Sequence, residues 1–350
     1  MLDSGDSSDT IDTGDTLDTL DTGDTTSADT TGTTSTPPDT TPAAHGGLES
    51  AGTSMDTASS VDTGTHSGKS GTEGISTLDT KGADLNAIVN AESFEALATQ
   101  AKNNAVEHAK NNSNAERQAE LNVIRDTPNN ARLADNRNSN ALGGHSMDTG
   151  AIVCRNGLTN AQAAHVAQHE FTHKTSFQGS RVTETESSTI NERVSGIHVL
   201  VRETSKATGE TTVKADSNRS LNEGFTERET LSTEVETYGK VTDCGLKCYT
   251  QNMDYASQLE SLVGRETVTD AYYNGNLEAL SSAVNQLAKD ETAWTNLTEK
   301  LDTLCVSTEG KTPEELAAIE NAKIELDTLM ARMAENKAQI EAAKQNGGKS

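Results

Sequence analysis

His169-Glu170-Phe171-Thr172-His173 is the stretch on which the reading of this chain turns. Two histidines four apart on a helix lie one turn above each other on the same face. That spacing lets both imidazoles reach one zinc ion, while the glutamate between them can reach a water on that ion. Chance alone produces such a pentapeptide in roughly one in a hundred chains of this length, so its surroundings decide what it means. Ala151-Ile152-Val153-Cys154-Arg155 reads as a short strand closed by Asn156-Gly157. Thr159, with Gln162 three residues on, forms a capping box that opens a helix over about residues 160–174. Ala163, Ala164, Ala167 and Phe171 give that helix positions to pack.

A catalytic zinc site needs a third protein ligand and an open position. His165 lies one turn before His169 on the same face. Three histidines in line along a helix span about 12 Å, and one ion with ligands near 2 Å cannot take all three. His165 therefore lines the cleft, supports a ligand or is structural. The other candidate is an acid from elsewhere, and Leu221-Asn222-Glu223-Gly224-Phe225-Thr226-Glu227 opens a second helix that supplies one.

This pair of motifs resembles the gluzincin metallopeptidases, in which the glutamate of an Asn-Glu-Gly-type motif on a second helix completes the site. The resemblance runs loosely from Ala151 to Leu280 and includes Leu262-Val263-Gly264 and Ala271-Tyr272-Tyr273-Asn274-Gly275. It implies that His169, His173 and Glu223 bind Zn2+, that Glu170 is the general base, and that Glu227 orients a ligand histidine through its other nitrogen. It implies a peptide or protein substrate. Tyr249 is the first candidate to hold the oxyanion, because its distance from Leu262-Val263-Gly264 resembles the family's pattern. Tyr255 and Tyr238 follow, and His165 and His198 are weaker alternatives. In zinc peptidases a strand placed as residues 151–155 are can pair, as an edge, with an extended substrate. The separation between His173 and Glu223 is longer than in thermolysin-like or aminopeptidase-type gluzincins, which points to a less characterised bacterial group. From Arg193 to Asp216 the hydrophobic period is two, with Ile197, Val199 and Val201 alternating with His198, Leu200 and Arg202. A β-hairpin turning around residues 206–209 fills the gap.

The expected fold is α+β and mostly helical: a zincin-like domain over residues 81–350, with a small sheet and a helical part from about residue 225. Leu85, Ile88, Val89, Phe94, Leu97 and Ala101 predict a first helix, and a more polar one is expected from Asn104 to Ile124. An Asn-rich loop follows from Asp126 to about Ser146. His108 on the polar helix and His145 in the loop read as solvent-facing, and His198 as structural or exposed. Apolar faces recur at Leu259, Leu262 and Val263, at Leu277, Leu280, Val284 and Leu287, and at Trp294, Leu297, Leu301 and Leu304. Thr312-Pro313-Glu314-Glu315 starts a long packing helix whose seam is Leu316, Ile319, Leu326, Met330, Met333 and Ile340.

Residues 1–80 differ from the rest. Asp-Thr recurs from Asp12-Thr13 to Asp62-Thr63, and fifteen acids against one lysine carry about −14 of the formal −26. Such a segment buries too little apolar area to offset its ordering entropy and is expected to be a disordered acidic tail. The remaining balance is moderately acidic, which opposes nucleic-acid binding. No run of about eighteen apolar residues predicts a membrane span, and Met1-Leu2-Asp3-Ser4 does not open a Sec-type signal. The chain reads as soluble, cytoplasmic by default or secreted by a non-Sec route. Cys154, Cys244, Cys248 and Cys305 lack zinc-ribbon spacing, so a local disulfide or free thiols are expected at Cys244 and Cys248. Two rival functions stay open: a catalytically inactive zinc-binding pseudopeptidase or interaction module, and a secreted effector whose tail is the working part.

Overall fold

The computed structural model describes residues 84–135, 141–239, 241, 249–305, 308 and 310–347. The acidic region 1–80 and the Cys244/Cys248 pair lie outside the described residues. Among the described residues the chain is α+β and mostly helical, with two small sheets and a helical C-terminal region. None of its helices is long and apolar enough to cross a membrane.

The chain enters with α1 (Ala91–Asn111) and α2 (Ala115–Asp126). Asn90 opens α1 with a capping box to Ser93. The stripe expected to stop at Ala101 continues through Ala105, Val106 and Ala109, all buried, so one helix covers what read as the end of one and the start of another. The break comes at Asn114, whose Oδ1 accepts the Arg117 N–H at 2.9 Å and caps α2.

The expected Asn-rich loop holds two short strands, β1 (Ala131–Ala134) and β2 (Gly143–His145). With β3 (Ile152–Arg155) they make a sheet of order β1-β3-β2, β1 parallel and β2 antiparallel to β3. The strand expected at an edge is therefore central, and β2 is an outer strand. The metal-motif helix, α3 (Asn160–Thr175), starts at Thr159 as expected: Thr159 Oγ1 accepts from Gln162 N at 3.2 Å and Gln162 Oε1 accepts from Thr159 N at 3.0 Å. Phe171, fully buried, anchors it in a core shared with Phe94, Ile152, Cys154, Val166 and Ala167. Burying a phenylalanine contributes about 2–3 kcal/mol.

Between the two motifs runs a meander, β4 (Gln178–Glu184), β5 (Ser188–Ser195), β6 (His198–Ser205) and β7 (Thr211–Ser217), all antiparallel neighbours. The expected hairpin is its second half. The first half escaped the periodicity because its residues are mostly polar or exposed on both faces. An even number of antiparallel strands returns the chain to the end where it left. Gln178 pairs with Ser195, and Val199 pairs with Ser217, so the excursion opens and closes at one end of the sheet. That is how residues 50 apart in sequence, His173 and Glu223, meet.

After the meander come α4 (Arg219–Tyr238), α5 (Thr250–Val263), α6 (Arg265–Asn274), α7 (Leu277–Ala288), α8 (Ala293–Leu304) and α9 (Pro313–Gly347). The expected apolar faces meet in a second core that includes Leu221, Phe225, Leu259, Leu280, Val284, Leu297, Leu301, Leu326, Met330 and Met333. Leu316 and Ile340, at the two ends of the expected α9 seam, are exposed. Cys154 and Cys305 are free thiols.

Gly224 fixes how α4 meets α5. A Cβ there would run into the Asn252 carbonyl, a main-chain group that cannot rotate away. Gly224→Ala is expected to destabilise the fold by about 1–3 kcal/mol, read as a lower urea midpoint with unchanged slope.

Candidate metal centre

The centre lies between the two apolar cores, where α3 faces α4. His169 and His173 project from α3, one turn apart. Their Nε2 atoms are 3.2 Å from each other, and Glu223 Oε2 on α4 is 3.2 Å from both. Three ligand atoms thus form an equilateral triangle, and all three residues are buried. Tetrahedral coordination with bonds near 2.05 Å places neighbouring ligand atoms about 3.3 Å apart. The triangle matches the three-ligand base of such a site. Two histidine nitrogens and a carboxylate converging at this range fit a cation better than they fit one another.

Each imidazole is set by a bond on its far side. His169 Nδ1 donates to Glu227 Oε2 at 2.9 Å, which leaves the Nε2 lone pair facing the triangle. His173 Nδ1 lies 3.2 Å from Thr226 Oγ1, and that hydroxyl is itself bonded to the Asn222 carbonyl at 2.8 Å and the Tyr272 hydroxyl at 2.7 Å. His173 Nδ1 is also 3.3 Å from Asn222 Nδ2, a donor; the tautomer that leaves Nε2 free for a cation is the one in which Nδ1 donates to Thr226 Oγ1, which donates to Asn222 O and accepts from Tyr272. Asn222 ties the centre to the meander. Its Oδ1 accepts the Ile197 N–H, and Asn218 Nδ2 donates to Ile197 O, both at 3.0 Å. Gly196, at φ 60°, makes the turn, and a Cβ on it would strike Asn222.

Glu170 and Tyr249 line a cleft with Leu142, Gly143, His165, Val166, His169 and Glu227; of the triangle, His169 is the member that reaches it. Gly143 on β2 lets the sheet close over Glu170: a Cβ there would stand 2.7 Å from Glu170 Oε1. Tyr249 stacks on the His169 ring, centroids 5.1 Å apart and planes 10° from parallel. It does so from a left-handed backbone, φ 51°, which costs an aromatic residue about 1–3 kcal/mol. The two runner-up tyrosines are elsewhere. Tyr255 donates to Asp327 at 2.6 Å, and Tyr238 accepts from Asn104 at 3.0 Å.

Other expectations change here. His145 does not face solvent from a loop; it is half-buried on β2 and stacks on His173, centroids 6.5 Å apart. Removal from water, then His173 and Lys174, push its pKa down, so the ring stays neutral. His108 is buried, with Nε2 and Nδ1 each 2.8 Å from Glu229 and Glu236. His198 pairs with Asp216 at 2.7 Å, away from the triangle. Sequence reasoning gave Asn222 and Thr226 no role of their own and placed His145 in solvent. Thr226 was within reach of the pattern, being one turn before Thr230 and four after Asn222 on the face that bears the ligand. His145 was not, because nothing local marks Gly143-Gly144-His145 as a strand.

Burial opposes charge on His169, but the carboxylates of Glu223 and Glu227 outweigh it and lift His169 to about 10. Glu223 is held well below the usual carboxylate range: burial works against this, and His173 and His169 overcome it. Glu227 is brought to about 2 by His165 and His169 despite burial. The raised His169 contributes stability that is complete below its unfolded value of about 6.5 and disappears as pH rises through about 10. A cation must displace that proton, so its binding strengthens over the same range. The metal-free chain is expected to lose thermal stability between about pH 6.5 and 10, while the rise in Tm on adding zinc grows. Scanning calorimetry with and without zinc checks both slopes.

No family model, no curated protein and no solved structure matches the chain.

Proposed function

We propose that the chain is a zinc-dependent peptidase with a gluzincin-type centre on a zincin-like scaffold. The observation that carries this reading is the buried triangle of His169, His173 and Glu223, with His169 lining the same cleft as Glu170. A purely structural zinc has four protein ligands and no use for an adjacent carboxylate base.

When bound there, zinc supplies Lewis acidity: it acidifies a water and polarises the scissile carbonyl. Glu170, adjacent to His169 and walled by Gly143, accepts the proton at its carboxylate and delivers it to the leaving amine nitrogen. Glu227 holds His169 in the tautomer that presents Nε2, and Thr226 does the same for His173. Tyr249, which lines the cleft and stacks on His169, is the residue we assign to donate its hydroxyl to the developing oxyanion, and its left-handed backbone supports a functional role. β2, an outer strand beside Glu170, offers main-chain groups along which an extended peptide can lie.

The test is hydrolysis of a mixed peptide pool by the purified full chain. Activity is expected with about one zinc per chain, lost on chelation and restored by zinc. A zinc-loaded chain that cuts no peptide bond in a broad pool would favour the inert zinc-binding module instead.

A further inference from the structure

The contact between α3 and α4 extends beyond the metal triangle. The two helices present their polar residues alternately: His173, Glu223, His169, Glu227, His165, Glu234. Successive members are 3.2, 3.2, 2.9, 3.3 and 2.9 Å apart, and each is less than a tenth exposed. The upper half is the candidate zinc site with its orienting carboxylate. The lower half, His165 and Glu234, has no place in the chemistry above.

Its geometry is specific. Glu227 gives Oε2 to His169 Nδ1–H, and its other oxygen, Oε1, faces His165 Nε2 at 3.3 Å. His165 Nδ1 in turn faces Glu234 Oε1 at 2.9 Å. Both nitrogens of His165 face carboxylate oxygens. Burying such a chain of polar groups is a poor way to stabilise two packed helices, because apolar residues of similar volume do as well or better. Its geometry does serve an orienting carboxylate. Held by one oxygen, Glu227 can turn about its terminal torsion; held by both, it cannot.

We propose that His165, anchored by Glu234, is a positioning residue of the metal centre: it clamps the free oxygen of Glu227 and so fixes the orientation of the ligand His169. The inference rests on the zinc reading. His165, the neighbour too far along the helix to share the ion, acts on it through one intervening carboxylate.

The experiment uses the full chain and the variants His165→Gln and Glu234→Gln, with Tyr255→Phe as control. Tyr255→Phe removes a hydrogen bond between α5 and α9, outside the α3–α4 contact. Zinc affinity is measured by chelator competition well below each variant's Tm, and the visible absorption of the cobalt-substituted chain is recorded. His165→Gln and Glu234→Gln are expected to bind zinc about threefold to tenfold more weakly, less than the 10- to 100-fold cost of losing a direct orienting partner. Their cobalt bands shift, and Tyr255→Phe changes neither readout. Glu234→Gln is nearly isosteric, so it keeps the test usable if His165→Gln folds poorly. Parental zinc affinity and cobalt spectra in both variants would overturn the clamp and leave the zinc reading standing. A parent chain that binds no zinc overturns both.

Discussion

The Glu170→Gln chain is expected to retain zinc at the parental stoichiometry and to hydrolyse peptides about 10²- to 10⁴-fold more slowly. The substitution keeps the volume of the side chain, which matters because β2 lies directly over it and Gly143 leaves no slack. It removes the one property assigned to Glu170, the capacity to take a proton from a water beside the ion. His169, His173 and Glu223 are expected to keep their positions, since Glu227 and Thr226 orient the two imidazoles. Zinc analysis and initial rates on the same preparation separate the outcomes. A Gln variant as fast as the parent would show that the base lies elsewhere. Parent and variant that both hold zinc and both cut nothing would assign the centre to binding.

Legibility followed the range of the interactions. The metal helix was readable because its signals are local: the Thr159–Gln162 capping box, the four-residue histidine spacing and the apolar positions around Phe171 all lie within one helix. The helical C-terminal part was readable for the same reason, through period and caps. The meander was half readable. Val199, Ile197 and Val201 alternate, but β4 and β5 are polar, and their pairing is dictated by register with neighbours that a local pattern does not contain. β1 and β2 are four and three residues long, and nothing in Gly143-Gly144-His145 distinguishes a strand from a loop. His108 was misjudged because α1 reads as polar beyond Asn104, whereas Glu229 and Glu236, more than a hundred residues away, meet that polar face and bury it. At the centre itself, the sequence supplied the residues and the fold supplied the distances. Glu223 was named by resemblance; its meeting with both histidines depends on the even-stranded excursion between them.

Glu223→Ala is expected to lower zinc affinity by about 10²- to 10³-fold, so that the purified variant carries no zinc where the parent carries about one per chain. The magnitude follows from sharing a binding free energy of about 10–16 kcal/mol among four ligand positions, which gives about 2.5–4 kcal/mol for each. Loss of the carboxylate also changes the metal-free chain. Glu223 and Glu227, with the charge of Glu170, hold the proton on His169, so in the variant that hold weakens and the alkaline loss of stability from His169 begins at lower pH. A folding defect is distinguishable from a metal defect. On the zinc reading, zinc is expected to raise the Tm of the parent by an amount that grows with free zinc, and to leave the variant's Tm in place at concentrations far below its weakened Kd. Zinc retained near one per chain in Glu223→Ala would move the third ligand elsewhere. Glu227 could take that place only by releasing His169 Nδ1, which its Oε2 now holds at 2.9 Å, and the ligand triangle would have to be rebuilt.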